Sequence, residues 1–219
     1  MQTSKTNGRI LETDIKRDHG SSLDAIAQVR LEPHDYEAAA RARAKNPLLH
    51  VDHFAFACRD AQETRNFYEN ILGMPLVNAL VLKDDMVNKG ATYCHFFFEI
   101  ADGHFIAFFD HTDLFEQKDF EPKSGFHHHV AFEVADDETV QNYRAKLEAA
   151  GVPTNFIDHG LYHSLYFTDP NGINLEITFK PGGTAEFEAK SRKIVNDLFN
   201  DWLIKRDSLR AAGLARTVQ

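Results

Sequence analysis

Two stretches of the sequence, residues 53–75 and residues 129–153, pass through the same order of features: HFAFACRDAQETRNFYENILGMP and HVAFEVADDETVQNYRAKLEAAGVP. Each starts with a histidine, alternates through a short apolar strand, turns at an aspartate, shows helical spacing and stops at Gly-x-Pro. Strand-like segments follow each copy, and tight turns at residues 101–103 and 169–172 join the last two strands. The sequence therefore predicts a duplicated unit made of a strand, a helix and two or three further strands.

The duplication places His53 and His129 at equivalent positions, each at the start of the first strand of its unit. Because side chains alternate along a strand, each histidine shares a face with small residues, while the bulky residues face a core. Alignment of the last strands on their turn glycines sets Ala107 opposite Glu176. Two histidines and a carboxylate on one cleft, with alanine at the fourth position, are typical of a non-haem Fe(II) site with open positions. The alternative is that these are satisfied core residues, but their duplicated placement favours a metal site.

Composition limits the classes of function. A net charge of -9 argues against a nucleic-acid partner, because phosphate binding needs clustered lysine and arginine. The sequence contains neither a long apolar run nor a signal peptide, so membrane and secretory readings are disfavoured. Its two cysteines cannot build a disulfide framework and fit a reducing compartment. We therefore expect a cytoplasmic protein.

The stretch from about residue 48 to 180 resembles the vicinal oxygen chelate superfamily (glyoxalase, bleomycin resistance, dioxygenase) through the motifs HVAFEV and YFTDPNGINLEI. The resemblance implies an α+β fold in which two βαβββ modules, about 48–115 and 125–180, form one metal-centred cleft. Residues 1–47 then form an N-terminal extension with a helix, and residues 181–219 form a C-terminal helical tail. Residue-level matches within the superfamily are to the type I extradiol ring-cleavage dioxygenases.

This closer resemblance implies an Fe(II) site held by His53, His129 and Glu176, with Mn(II) or another divalent metal as an alternative. A small residue stands at the fourth position in those enzymes, as Ala107 does here. The substrates implied are a small aromatic diol of the catechol type and O2. The chain is therefore predicted to be an extradiol dioxygenase of aromatic compound catabolism.

Three further residues carry over as catalytic groups. His104 stands in a His-x-x-Ala pattern within HFIAF, and Tyr166 lies ten residues before the ligand Glu176. A His-Gly pair in DHG supplies His159, but its spacing to the tyrosine is shorter than in the family, and His163 could serve instead. His159 or Tyr166 would take or share a catechol proton, and His104 would supply a proton during ring cleavage.

Two other classes of function stay open. The first is a metal-dependent isomerase, epimerase or thiol transferase of the same superfamily, and the second is a sequestering module without catalysis. The tail from residue 185 to 213 carries an apolar stripe at helical spacing, which its own domain or a second subunit could bury. We expect a homo-oligomer.

Overall fold

The computed structural model describes residues 5–6, 9–10, 36–45, 47–83, 90–125 and 127–213. The chain divides into two compact units, of which one is His50–Thr184 and the other consists of the segments on either side of it. Along the chain the elements are β1 (Lys5–Thr6), β2 (Arg9–Ile10), α1 (Tyr36–Lys45), β3 (His53–Ala57), α2 (Ala61–Arg65), β4 (Leu76–Lys83), β5 (Thr92–Glu99), β6 (Phe105–His111), β7 (His129–Glu133), α3 (Asp137–Ala149), β8 (Asn155–Asp158), β9 (His163–Thr168), β10 (Asn174–Phe179) and α4 (Ala185–Ala211).

The flanking unit contains the paired strands β1 and β2 and the helices α1 and α4. Helix α1 lies within the N-terminal extension in which the sequence predicts a helix, and helix α4 lies within the tail predicted to be helical. Helix α4 is long and leaves large apolar side chains half exposed, among them Leu198 and Trp202. None of the described helices combines the length and apolarity needed to cross a membrane.

The unit His50–Thr184 has the predicted α+β architecture of two βαβββ modules. Module 1 is a four-stranded sheet of order β3-β6-β5-β4, and module 2 repeats it as β7-β10-β9-β8. In both modules the first strand runs parallel to the last, while the other pairs are antiparallel. Strands β4 and β8 supply the third strand that the sequence pattern left open. Strand β8 is only four residues long, so its alternation carries little signal.

Both module helices begin at aspartates. The Asp60 side chain accepts a hydrogen bond from the backbone N–H of Glu63 at 2.7 Å, and Asp136 accepts one from the N–H of Thr139 at 2.8 Å. These N-caps satisfy backbone donors that the first helical turn cannot pair internally. Helix α2 then continues as a π-helical segment, Asn66–Ile71, which the sequence pattern did not predict.

One continuous core joins the two modules on the helix side of their sheets. Strand residues such as Phe98 and Phe108 in module 1 and Leu165 in module 2 pack there against Tyr68 and Leu147 of the helical segments. Because side chains alternate, the other face of each sheet carries the predicted site residues. We call this face, turned away from the helices, the open face of each module.

Candidate metal centre

Strand register places the predicted ligand positions in equivalent places on the two open faces. In module 1, Ala55 lies beside Ala107 across the parallel pair β3 and β6. In module 2, Ala131 lies beside Glu176 across β7 and β10. Since Ala55 and Ala131 each lie two residues after their histidine, Ala107 and Glu176 are symmetric mates, as the turn alignment predicts.

Two of the predicted ligands lie in contact within module 2. Nε2 of His129 is 2.8 Å from Oε2 of Glu176. The Glu176 side chain is only 13% exposed, whereas His129 is 38% exposed, so the carboxylate sits at the base of the face with the imidazole above it. A neutral imidazole nitrogen and a carboxylate oxygen are donors that suit a divalent transition metal.

The predicted catalytic tyrosine is next to this pair. Tyr166 is the register partner of Glu176 on β9, and its ring lies 6.1 Å from the ring of His129. Nε2 of His159 lies 3.1 Å from the Tyr166 hydroxyl oxygen. The four side chains therefore form two neighbouring hydrogen-bonded pairs on module 2, and a groove of about 700 Å³ contains His129 and Tyr166 in its lining.

The alternative histidine lies elsewhere. His163 is three residues before Tyr166, so it points to the opposite side of β9. Its Nδ1 donates to Oδ1 of Asp137 at 2.7 Å, at the start of α3, and its ring packs 6.1 Å from Phe179. Of the two candidates, His159 is the one that contacts the tyrosine.

His53 lies on the open face of module 1 with a different set of neighbours. Its Nδ1 donates to Oδ2 of Asp52 at 2.6 Å, and this hydrogen bond is the main cause that lowers the pKa of the Asp52 carboxyl. The ring lies 5.4 Å from Phe97 in an edge-to-face arrangement and 5.8 Å from His95. With Nδ1 occupied, Nε2 is the ring nitrogen left for a metal.

The structure does not bring all three predicted ligands together within one chain. Among the described residues, no group of three or more histidine, cysteine, aspartate or glutamate side chains lies close enough together to hold a metal ion. His129 and Glu176 are joined on module 2, while His53 stands on module 1.

His104 precedes β6 in the turn of module 1. Its Nδ1 donates to Oδ2 of Asp102 at 2.8 Å, and its ring lies 4.3 Å from the ring of His50. The hydrogen bond to His104 is the largest cause that lowers the pKa of Asp102. His104 also lies close enough to Asp52 to contribute to the lowered pKa of that carboxyl, so it is a neighbour of the Asp52–His53 pair.

Sequence reasoning missed Asp52, favoured a surface position for His95 over one that lines the cleft, and left Phe97 unassigned. Asp52 could have been found as the acid directly before the candidate ligand in VDH. His95 and Phe97 alternate with the core residues Phe96 and Phe98 along β5, and only the observed burial shows which set faces the core. Burial is the largest cause that lowers the pKa of His95.

Comparison with known proteins identifies the family to which the chain belongs. A model of the Glyoxalase/Bleomycin resistance protein/Dioxygenase superfamily matches residues 50–177. Among solved structures, a glyoxylase/bleomycin resistance protein/dioxygenase domain from Frankia sp. EAN1pec is 18% identical, with a TM-score of 0.49 over 61% of this chain and 98% of that one.

Two further solved structures are similar at the same level. A point mutant of the fosfomycin resistance protein FosX from Listeria monocytogenes, complexed with Mn(II) and 1S,2S-dihydroxypropylphosphonic acid, is 21% identical, with a TM-score of 0.46 over 64% of this chain and 97% of that one. A glyoxalase/dioxygenase from Nostoc punctiforme is 25% identical, with a TM-score of 0.47 over 62% and 93%. Among curated proteins, none matches the chain.

Proposed function

Because the chain belongs to the Glyoxalase/Bleomycin resistance protein/Dioxygenase superfamily, we propose that it is an Fe(II)-dependent extradiol dioxygenase that cleaves the ring of a catechol-type substrate with O2. The observation that carries the proposal is the contact of His129 with Glu176 beside the hydrogen-bonded pair of His159 and Tyr166. A donor pair for a divalent metal thus lies next to a pair that can move a proton.

The donor set fits the metal. His129 and Glu176 would bind through the two atoms that now lie 2.8 Å apart, and His53 would bind through Nε2 while Asp52 holds its Nδ1. Alanine at position 107 leaves the fourth symmetric position without a protein ligand, as a site that binds substrate and oxygen requires. Bound Fe(II) would supply Lewis acidity and the electron transfer between the diol and oxygen.

Groups of module 2 would take the proton that the substrate loses. A catechol must lose protons as it binds, and the Tyr166 hydroxyl is the group of this pair next to the proposed ligands. His159, 3.1 Å from that hydroxyl and exposed to solvent, would accept the proton and release it to water. His104, held by Asp102 through Nδ1, would supply a proton from its Nε2 on the module 1 side.

We propose further that the site is completed by a second copy of the chain. The open face of module 1 carries His53, and the open face of module 2 carries His129 with Glu176. If two copies pack with module 1 of each against module 2 of the other, a two-fold arrangement yields two identical sites. The homo-oligomer expected from the sequence thereby acquires a chemical role.

The cellular setting proposed is the cytoplasm. Cys58 is buried and Cys94 half-buried, and both are free thiols. Burial raises the pKa of the Cys58 thiol to about 12, so it behaves as a small apolar core residue. Free thiols suit a reducing compartment.

The test is a direct assay. We expect protein purified without oxygen and loaded with Fe(II) to consume oxygen and release a yellow ring-fission product with at least one of a panel of catechols. The variant His129→Ala should lose bound metal, whereas His163→Ala, on the opposite face of its sheet, should keep it. Absence of oxygen uptake with every catechol, together with a firmly bound non-iron metal, would instead support the metal-dependent isomerase or thiol transferase class.

A further inference from the structure

His95 has an unexpected place on the open face of module 1. It lies on β5, two residues before Phe97, and its ring is half-buried. Nδ1 of His95 lies 3.1 Å from the backbone carbonyl oxygen of Phe108. A carbonyl oxygen only accepts hydrogen bonds, so Nδ1 carries the hydrogen and Nε2 of the neutral ring keeps its lone pair.

Aromatic rings surround this imidazole. The ring of His95 is stacked on Phe109 at 3.9 Å between centroids with an interplanar angle of 9°, and it lies 4.3 Å from Phe97. Phe97 in turn lies 5.4 Å from His53, the proposed ligand, between ring centroids in a T-shaped arrangement. The group therefore extends from the proposed metal ligand along an apolar, flat-sided surface.

Comparison of the two modules shows that the position of His95 differs between them. Phe97 pairs with Ala107 on β6 as Tyr166 pairs with Glu176 on β10. Two residues earlier on β5, His95 pairs with Phe109. Its counterpart on β9, Ser164, pairs with Thr178.

The counterpart in module 2 is closed to ligands. Ser164 is fully buried, and its hydroxyl oxygen lies 3.4 Å from that of Thr178. Module 2 thus fills this position with two small paired hydroxyls. Module 1 fills it with the imidazole of His95, whose Nε2 can accept a hydrogen bond among aromatic rings.

We propose that His95 is a substrate-binding residue whose Nε2 accepts a hydrogen bond from a hydroxyl group of an aromatic ring lying against Phe97 and Phe109. This inference rests on the proposed function, since a catechol-type substrate supplies both the flat ring and the hydroxyl. Aromatic side chains favour offset-stacked or edge-to-face contact with such a ring, and the imidazole fixes its orientation.

Binding of 4-nitrocatechol to the metal-loaded full-length protein without oxygen, followed by its absorbance, tests the proposal. His95→Asn keeps a donor for the Phe108 carbonyl but lacks an acceptor at Nε2, and His95→Phe keeps the stack on Phe109 but lacks both nitrogens. For both variants we expect the Kd to rise about tenfold, the loss of one hydrogen bond, with metal content unchanged. His95→Gln, whose amide reaches the Nε2 position, should recover part of the affinity, and the control His163→Asn should bind as the wild type does.

Two failures are distinguishable. If wild-type protein fails to bind nitrocatechol whichever divalent metal it is loaded with, the proposed function and this inference are both overturned. Wild-type protein that binds it, with His95→Phe binding equally tightly, would overturn the role of His95 and leave the proposed function standing.

Discussion

At the scale of single residues, a buried polar network ties module 1 to module 2. Asp169 is 5% exposed and accepts hydrogen bonds from the Tyr68 hydroxyl at 3.0 Å and from the backbone N–H of Ile173 at 2.8 Å. Asn171 reaches across to Thr64 at 3.1 Å. Burial raises the pKa of Asp169 to about 6, because desolvation of the carboxylate outweighs the hydrogen bonds that it accepts.

This shift predicts a specific pH dependence of stability. The pKa of Asp169 in the folded protein lies above its ordinary value of 3.8. Between about pH 4 and 6 the folded protein therefore keeps a proton on Asp169 that the unfolded chain has released. The contribution of this group to stability is fully present below about pH 4 and is lost as pH rises through about 6, a change of roughly 3 kcal/mol. Urea unfolding of wild type and Asp169→Asn between pH 4 and 7 checks this: the free energy of unfolding of the variant should lack that decline, and equal slopes would contradict the assignment.

At the scale of elements, the two strand-joining turns look alike but meet different surroundings. Gly103 in module 1 and Gly172 in module 2 both have positive φ, 83° and 80°. A Cβ at Gly103 would meet open space, whereas one at Gly172 would lie 2.7 Å from the carbonyl oxygen of Phe120, in the short 3-10 helix Gln117–Phe120 between the modules. The linker therefore packs directly on the turn of module 2.

The pair of glycines gives a matched prediction. Gly103→Ala should lower the free energy of unfolding by about 1–2 kcal/mol, the cost of a left-handed conformation with a Cβ. Gly172→Ala should cost about 2 kcal/mol more, because backbone atoms must also move to relieve the contact. Denaturant unfolding of both variants measures the difference, and equal costs would show that the linker does not press on this turn.

At the scale of the whole molecule, the unit His50–Thr184 buries one side of its sheets and leaves the other accessible. His53 is about a third exposed, and on the outer strand of module 1 Leu80 and Leu82, the register partners of His95 and Tyr93, are each 43% exposed. Large apolar side chains exposed on one face of a sheet are typical of interaction sites. This face lies on module 1, whose proposed ligand His53 belongs to no group of three or more potential metal-binding side chains among the described residues.

A mixture of two inactive chains tests the shared site. His53→Ala and Glu176→Ala should each abolish metal binding as homodimers. A purified heterodimer of the two should recover about half the wild-type metal content, because one of its two sites combines an intact module 1 with an intact module 2. If each site formed within one chain, both sites of the heterodimer would be damaged and no metal would return.

Local patterns in the sequence were enough to establish the order and equivalence of the parts. The duplication, the strand and helix order and the equivalence of His53 with His129 all follow from period-2 and period-3.6 spacing within short stretches. The same local order made Ala107 the mate of Glu176, and the strand register agrees.

The folded chain was needed to show which side chains meet. It showed that His159 contacts Tyr166 whereas His163 lies on the opposite face of β9. Along β5, it showed that Phe98, and not its neighbour Phe97, faces the core. It also showed that one chain joins His129 to Glu176 but not to His53. Spacing along a strand fixes which residues share a face, but the packing of distant elements governs which faces meet and which remain for a partner.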